Sequence, residues 1–142
     1  MLYQIWGNFV NSPTPYYANS ITASLAFSLT NSSDIVKTLE VGKVSTLSVD
    51  NLHDIAPDNP WRIVKIVVHL SDWEQGHFAN YGNYMHYQWK AGDVYAYDWQ
   101  NIPYSFANAG QNAIVTYQLT GVLTEYSDDF INRLKRFSTY QL

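Results

Sequence analysis

The run WRIVKIVVHL, residues 61–70, constrains the fold more than any other part of the chain. Its β-branched side chains lose rotamer freedom in a helix and fit a pleated surface, so the run reads as a strand. Side chains on a strand alternate between faces. Ile63, Lys65, Val67 and His69 therefore share one face, and Val64, Ile66, Val68 and Leu70 share the other. The wholly apolar second face suits packing within a sheet. The first face carries two groups that can hold positive charge, and it suits the wall of a pocket for an acidic ligand. The plainer alternative has Lys65 reaching out to solvent and His69 closing the strand end.

The same period of two recurs along the chain. In SITASLAFSLT, Ile21, Ala23, Leu25, Phe27 and Leu29 fall on one face. NSSD, residues 31–34, reads as a turn, and KTLEVGKVSTLSV continues as strand with Gly42 at a turn or bulge. DNLHDIAPDNP reads as a loop. Further strands are expected at MHYQW, VYAYDW, YSFAN and AIVTYQLTGVLTEY, separated by turns at SDWEQG, NYGN, KAGD, QNIP and AGQN. Strands repeating at about 8–12 residues indicate a sandwich or barrel. Only the tail reads as a helix, over 127–138, with Ser127 as cap, Asp128 and Asp129 in the first turn, and Phe130, Ile131, Leu134 and Phe137 on one face. The expectation is one mostly β domain over 1–142: N-terminal strands and loop over 1–60, barrel core over 61–126, then the helix.

Composition removes several function classes. A net charge of −4 with 8 basic residues leaves no groove for nucleic acid, and the only basic cluster is Arg133, Lys135 and Arg136. The chain has no cysteine, hence no disulfide, thiolate metal site or thiol nucleophile. No run approaches the ~20 apolar residues of a membrane helix, and MLYQIWGNFV lacks the features of a signal peptide. A soluble, cytoplasmic protein is expected. No nucleophile elbow, phosphate loop or paired-histidine zinc motif is present.

The segment LSDWEQGHFANYGN…WKAGDVYAYDWQNIPYSFANAG…TYQLTG resembles the double-stranded β-helix of the cupin and iron/2-oxoglutarate oxygenase superfamily, and in particular the small oxygenase-like proteins of marine phages and cyanobacteria. It covers roughly residues 60 to 122, and its main motifs are W-K-A-G-D-V and D-W-x-N-I-P. The resemblance implies a jelly-roll, cupin-like barrel. It also implies an iron site made of an early H-x-D/E pair and a late histidine, followed by a basic residue for the co-substrate carboxylate. Tyr104 stands at the late histidine position. The basic position falls near Ala113 or Ile114, and Ser48 precedes Asp50 where the first histidine of the pair is expected. His53 and Asp54 are adjacent, so on a strand they would face opposite ways.

The resemblance thus implies a related protein without the standard iron and 2-oxoglutarate residues, serving as a small-ligand-binding or structural module. Lys65, His69, Tyr97, Trp99 and Tyr104 are the candidate ligand-binding residues. No cofactor is favoured. The first alternative is an active metal-dependent oxygenase with shifted ligands, His69, His77 and His86, with Asp72 or Glu74 as carboxylate and iron(II) or another divalent metal bound. The second is a non-enzymatic virion or oligomer-forming protein, for which a homodimer is expected by analogy of fold. The aromatic series Tyr84, Tyr87, Trp89, Tyr95, Tyr97, Trp99 and Tyr104 reads mainly as core and cross-strand packing. Asp93 reads as a turn residue, with acid–base work as the sharper option for it and Asp98.

Overall fold

The computed structural model describes residues 2–6, 29–82, 84–97 and 99–124. It is mostly β: β1 (Leu2–Trp6), β2 (Leu29–Leu39), β3 (Ile63–His69), β4 (His77–Tyr81), β5 (Tyr84–His86), β6 (Val94–Tyr97), β7 (Tyr104–Asn108) and β8 (Ile114–Leu123). The strands form two antiparallel sheets, a five-stranded one in the order β1-β6-β3-β8-β2 and a three-stranded one in the order β5-β4-β7. Between β2 and β3 the chain crosses to the smaller sheet. There it runs beside β7 through the bridges Val44↔Ala107 and Ser48↔Tyr104. The expected helix over 127–138, the alternating stretch before Leu29 and Asp98 lie outside the described residues. No helix among the described residues is long and apolar enough to cross a membrane.

The strand WRIVKIVVHL forms as its composition dictates, but Trp61 and Arg62 belong to a short 3-10 turn before it. The face of β3 bearing Ile63 and Val67 joins the core cluster between the sheets, with Ala79, Tyr81, Trp89, Tyr95, Trp99, Phe106 and Ile114. Burying each of the large aromatic side chains stabilises the fold by roughly 3 kcal/mol. Three indoles satisfy their polar end as they bury their rings: Trp73 donates to the His77 carbonyl (3.0 Å), Trp89 to that of Ser71 (3.1 Å) and Trp99 to that of Ile63 (2.9 Å).

Two expectations are corrected. NSSD is not a turn but a bulge inside β2, where pairing with β8 shifts between Thr30 and Ser33. Asn31 takes φ 49°, a left-handed conformation that asparagine tolerates. Across the ladder Gly121 leaves the space: a Cβ there would lie 2.8 Å from Leu29 Cβ. His53 and Asp54 lie in a 3-10 turn within the loop expected at DNLHDIAPDNP, and neither is buried. MHYQW is strand only over its first part, because β5 ends at His86 and Gln88 takes φ 60°. Gly42 does mark a turn, with φ 78°, just after β2 ends.

Candidate ligand-binding site

A cavity of about 400 Å³ opens between the sheets on the side where the 42–48 segment faces β2 and β8. Leu39, Val44, Phe106 and Ile114 give it apolar walls. Its polar lining comes from Lys37, Ser45, Ser48, Tyr104, Thr116 and Gln118, among others. The antiparallel register explains the arrangement. Lys37 lies opposite Thr116 and Leu39 opposite Ile114, while Thr116, Gln118 and Thr120 recur at every second position on the inward face of β8. Thr116 and Gln118 are buried, and the Gln118 amide donates to the Thr116 hydroxyl at 3.4 Å. Lys37 is exposed and forms no ion pair with the described residues.

Tyr104 connects this cavity to a buried ion pair. Lys65 Nζ lies 2.5 Å from Asp50 Oδ2, and the Lys65 side chain is only 4% exposed. The ammonium also sits 4.6 Å from the centre of the Tyr104 ring, a cation–π distance. The Tyr104 hydroxyl donates to the other Asp50 oxygen, Oδ1, at 3.2 Å. Burial pulls the Lys65 pKa below the usual lysine range, and the nearby charge of Lys37 acts the same way; Asp50 opposes both. Burial, and then the Asp50 charge, raise the Tyr104 phenol, so it stays protonated and serves as a donor at neutral pH.

His69 and His86 form a second polar feature, deeper in the core. Both are essentially without exposure, and their ring centres lie 5.5 Å apart. His69 stacks on Trp89 (4.4 Å, 15°), and the Tyr95 ring packs against both imidazoles at 5.6 and 4.3 Å. Among the described residues no ring nitrogen of either histidine has a hydrogen-bond partner. A buried polar group left so costs about 1–3 kcal/mol, which sets these nitrogens apart from the satisfied indoles around them. Burial lowers both pKa values: His86 falls to about 4, and His69, which also feels the charge of His86, goes well below the usual imidazole value.

The candidate residues therefore separate. Lys65 and Tyr104 meet at one end of the cavity. His69 belongs to the core pair and not to the cavity lining. Trp99 is a core residue, 3% exposed, with its ring edge-on to His53 at 5.2 Å. Tyr97 is placed by backbone alone, opposite Leu2 at the end of β6, and its side chain lies outside the described part.

Of the trio His69, His77 and His86, only the first and last approach as partnerless rings. His77 Nε2 bonds the Asn112 carbonyl at 2.9 Å and lies 3.4 Å from Glu74 Oε1, and Glu74 also braces the 109–112 turn, accepting from Asn112 N (2.7 Å) and Asn112 Nδ2 (2.8 Å). Asp72 accepts from Ala91 N at 2.8 Å. Among the described residues no group of three or more histidines and carboxylates comes together as a metal site. Asp93 is the turn residue expected, accepting from Lys90 N at 2.9 Å.

The sequence reading missed Lys37, Thr116 and Gln118. A signal existed in the polar positions alternating along IVTYQLTG, but a polar alternate face ordinarily points to solvent. Comparison with family models, with curated proteins and with solved structures finds no match to this chain.

Proposed function

We propose that this chain is a double-stranded β-helix protein of jelly-roll type that binds a small organic acid in the cleft between its sheets, with the iron and co-substrate positions taken over by other residues. The strand order supports the fold. From β2 onward the chain alternates between sheets except at the β4–β5 hairpin, with β2, β3, β6 and β8 in one and the 42–48 segment, β4, β5 and β7 in the other. An eight-stranded jelly roll interleaves its strands in this way.

The convergence of Ser48, Asp50 and Tyr104 supports the lost iron centre. These are the positions where the resemblance puts the early pair and the late histidine, and Asp50 bonds Tyr104 across 54 residues of chain. The Lys65 ammonium, paired to Asp50, already supplies positive charge at that spot. A divalent cation beside it would meet direct repulsion in a poorly solvated site.

The cavity carries the ligand reading. Its volume of about 400 Å³ suits a small molecule. The expected base near Ala113 or Ile114 is missing, since Ile114 is an apolar, buried wall residue. One strand over, Lys37 offers an ammonium at the cavity, and the hydroxyls and amide of Ser45, Ser48, Thr116 and Gln118 offer hydrogen bonds.

The test is calorimetric titration of the wild-type chain and a Lys37→Glu variant with succinate, 2-oxoglutarate, citrate and benzoate, with a neutral sugar as control. Saturable, salt-sensitive binding of at least one acid, reduced tenfold or more by Lys37→Glu, is expected. If no acid binds at millimolar concentration, or if binding is indifferent to Lys37→Glu, the reading is wrong.

A further inference from the structure

We propose that His69 and His86 form a buried two-coordinate site for copper(I), separate from the cavity and independent of what the cavity binds. The observation is the pair of imidazoles whose nitrogens all lack partners among the described residues, set side by side in a core whose other polar side chains are largely satisfied. Local packing fixes the rings. His69 closes β3 and His86 closes β5, so the two sheets present them to each other. Trp89 and Tyr95 hold them in place from the sides.

The spacing lies close to that of one shared ion. With metal–nitrogen bonds of about 2.0 Å, and about 1.1 Å more to each ring centre, a linear two-coordinate ion puts the centres about 6.2 Å apart. The observed separation is 5.5 Å, so binding would part the rings by about 0.7 Å.

The ligand count and the surroundings select the ion. Zinc and divalent iron need more protein donors than two, and no third histidine or carboxylate joins the pair among the described residues. Calcium and magnesium require oxygen ligands and keep their water. Copper(I) is closed-shell, accepts imidazole, and is content with two donors. It also carries a single charge, and desolvation cost rises with the square of the charge, which favours a monovalent ion in an aromatic core. Asp93 supplies a nearby negative charge: its carboxylate is buried and takes the hydroxyl of Tyr95, the ring that packs on both histidines, at 3.4 Å.

The test uses the full chain, stripped with chelator and titrated anaerobically with copper(I) against a chromophoric copper(I) chelator. One copper per chain should be retained by wild type, by His77→Gln and by Met85→Leu, the last removing the exposed thioether. His69→Leu and His86→Leu should each reduce copper affinity at least a hundredfold while keeping the near-ultraviolet circular dichroism of a packed core. X-ray absorption of the wild-type copper complex decides the matter should a leucine variant fail to fold. Two imidazole donors are expected. Loss of all copper to the chelator, retention in His86→Leu, a sulfur donor, a coordination number above two, or tight stoichiometric binding of zinc in place of copper would each overturn the proposal.

Discussion

Replacing Asp50 by asparagine should be among the most damaging single polar changes in this fold. The substitution keeps shape and the Tyr104 contact but removes the charge that compensates Lys65, whose side chain is 4% exposed. Breaking a buried pair from one side costs about 3–5 kcal/mol, because the surviving charge stays buried and uncompensated. The Asp50 side chain is 16% exposed and the ammonium keeps its contact with the Tyr104 ring, so the lower end, about 3 kcal/mol, is expected. At a urea m-value of about 2 kcal/mol/M, the unfolding midpoint falls by about 1.5 M with m unchanged.

Lys65→Met should cost less, since it leaves a partly solvated carboxylate still receiving the Tyr104 hydroxyl. The double variant Asp50→Asn/Lys65→Met removes both charges and should lie close to wild type, giving a coupling of about 2 kcal/mol or more in the cycle. The pH dependence gives an independent sign. Burial already lowers the Lys65 pKa, and without Asp50 it drops further, so the unfolded chain binds the proton more tightly than the native one. The penalty of Asp50→Asn is therefore full at neutral pH and shrinks as pH rises toward the ordinary lysine value. A loss below about 1 kcal/mol, or a double variant as unstable as Asp50→Asn alone, would refute the buried-pair reasoning.

Three further outcomes are expected. In chelator-treated protein, acid should weaken the fold through His86, whose pKa burial lowers from 6.5 to about 4. The unfolded chain takes up that proton first, so stability is lost as pH falls through this window; between about pH 7.5 and 5, His86→Leu should lose about 2 kcal/mol less than wild type, and parallel urea-unfolding profiles would contradict this. Combining Ser48→His, Lys65→Met and Tyr104→His should create a cobalt(II) or iron(II) site visible by absorption spectroscopy, because it rebuilds two histidines around Asp50 and removes the competing ammonium; a variant that folds but binds no metal would count against the jelly-roll assignment of these positions. Gly76→Ala should lower the melting temperature by roughly 5 °C or more: at φ +99° a Cβ would lie 2.6 Å from the Ala109 carbonyl carbon and oxygen, backbone atoms that cannot swing aside, and an unchanged melting temperature would show that the turn adapts.

Local residue patterns made β3, β6, β7, β8 and most of the turns legible, whereas β1 and β4 were not expected. Side-chain period and β-branching are local properties, so IVKIVVH, YSFAN and IVTYQLTGVL were legible as strands from their own residues. The pairing of Lys65 with His69 on one face followed from the same period, and that face does point between the sheets. The tertiary structure alone decided what those residues meet. Asp50 lies in a crossing segment without regular hydrogen bonding, and only the bridge of Ser48 to Tyr104 sets it beside Lys65. Likewise the polar positions of β8 read as a solvent face until the opposite sheet closes over them and makes them cavity lining. His77 could not be told from His69 and His86 by spacing, because its carbonyl partner at Asn112 comes from a turn 35 residues away. NSSD misled for the same reason. Turn chemistry is written locally, but whether it reverses the chain or bulges a strand depends on the neighbour across the ladder, here Gly121.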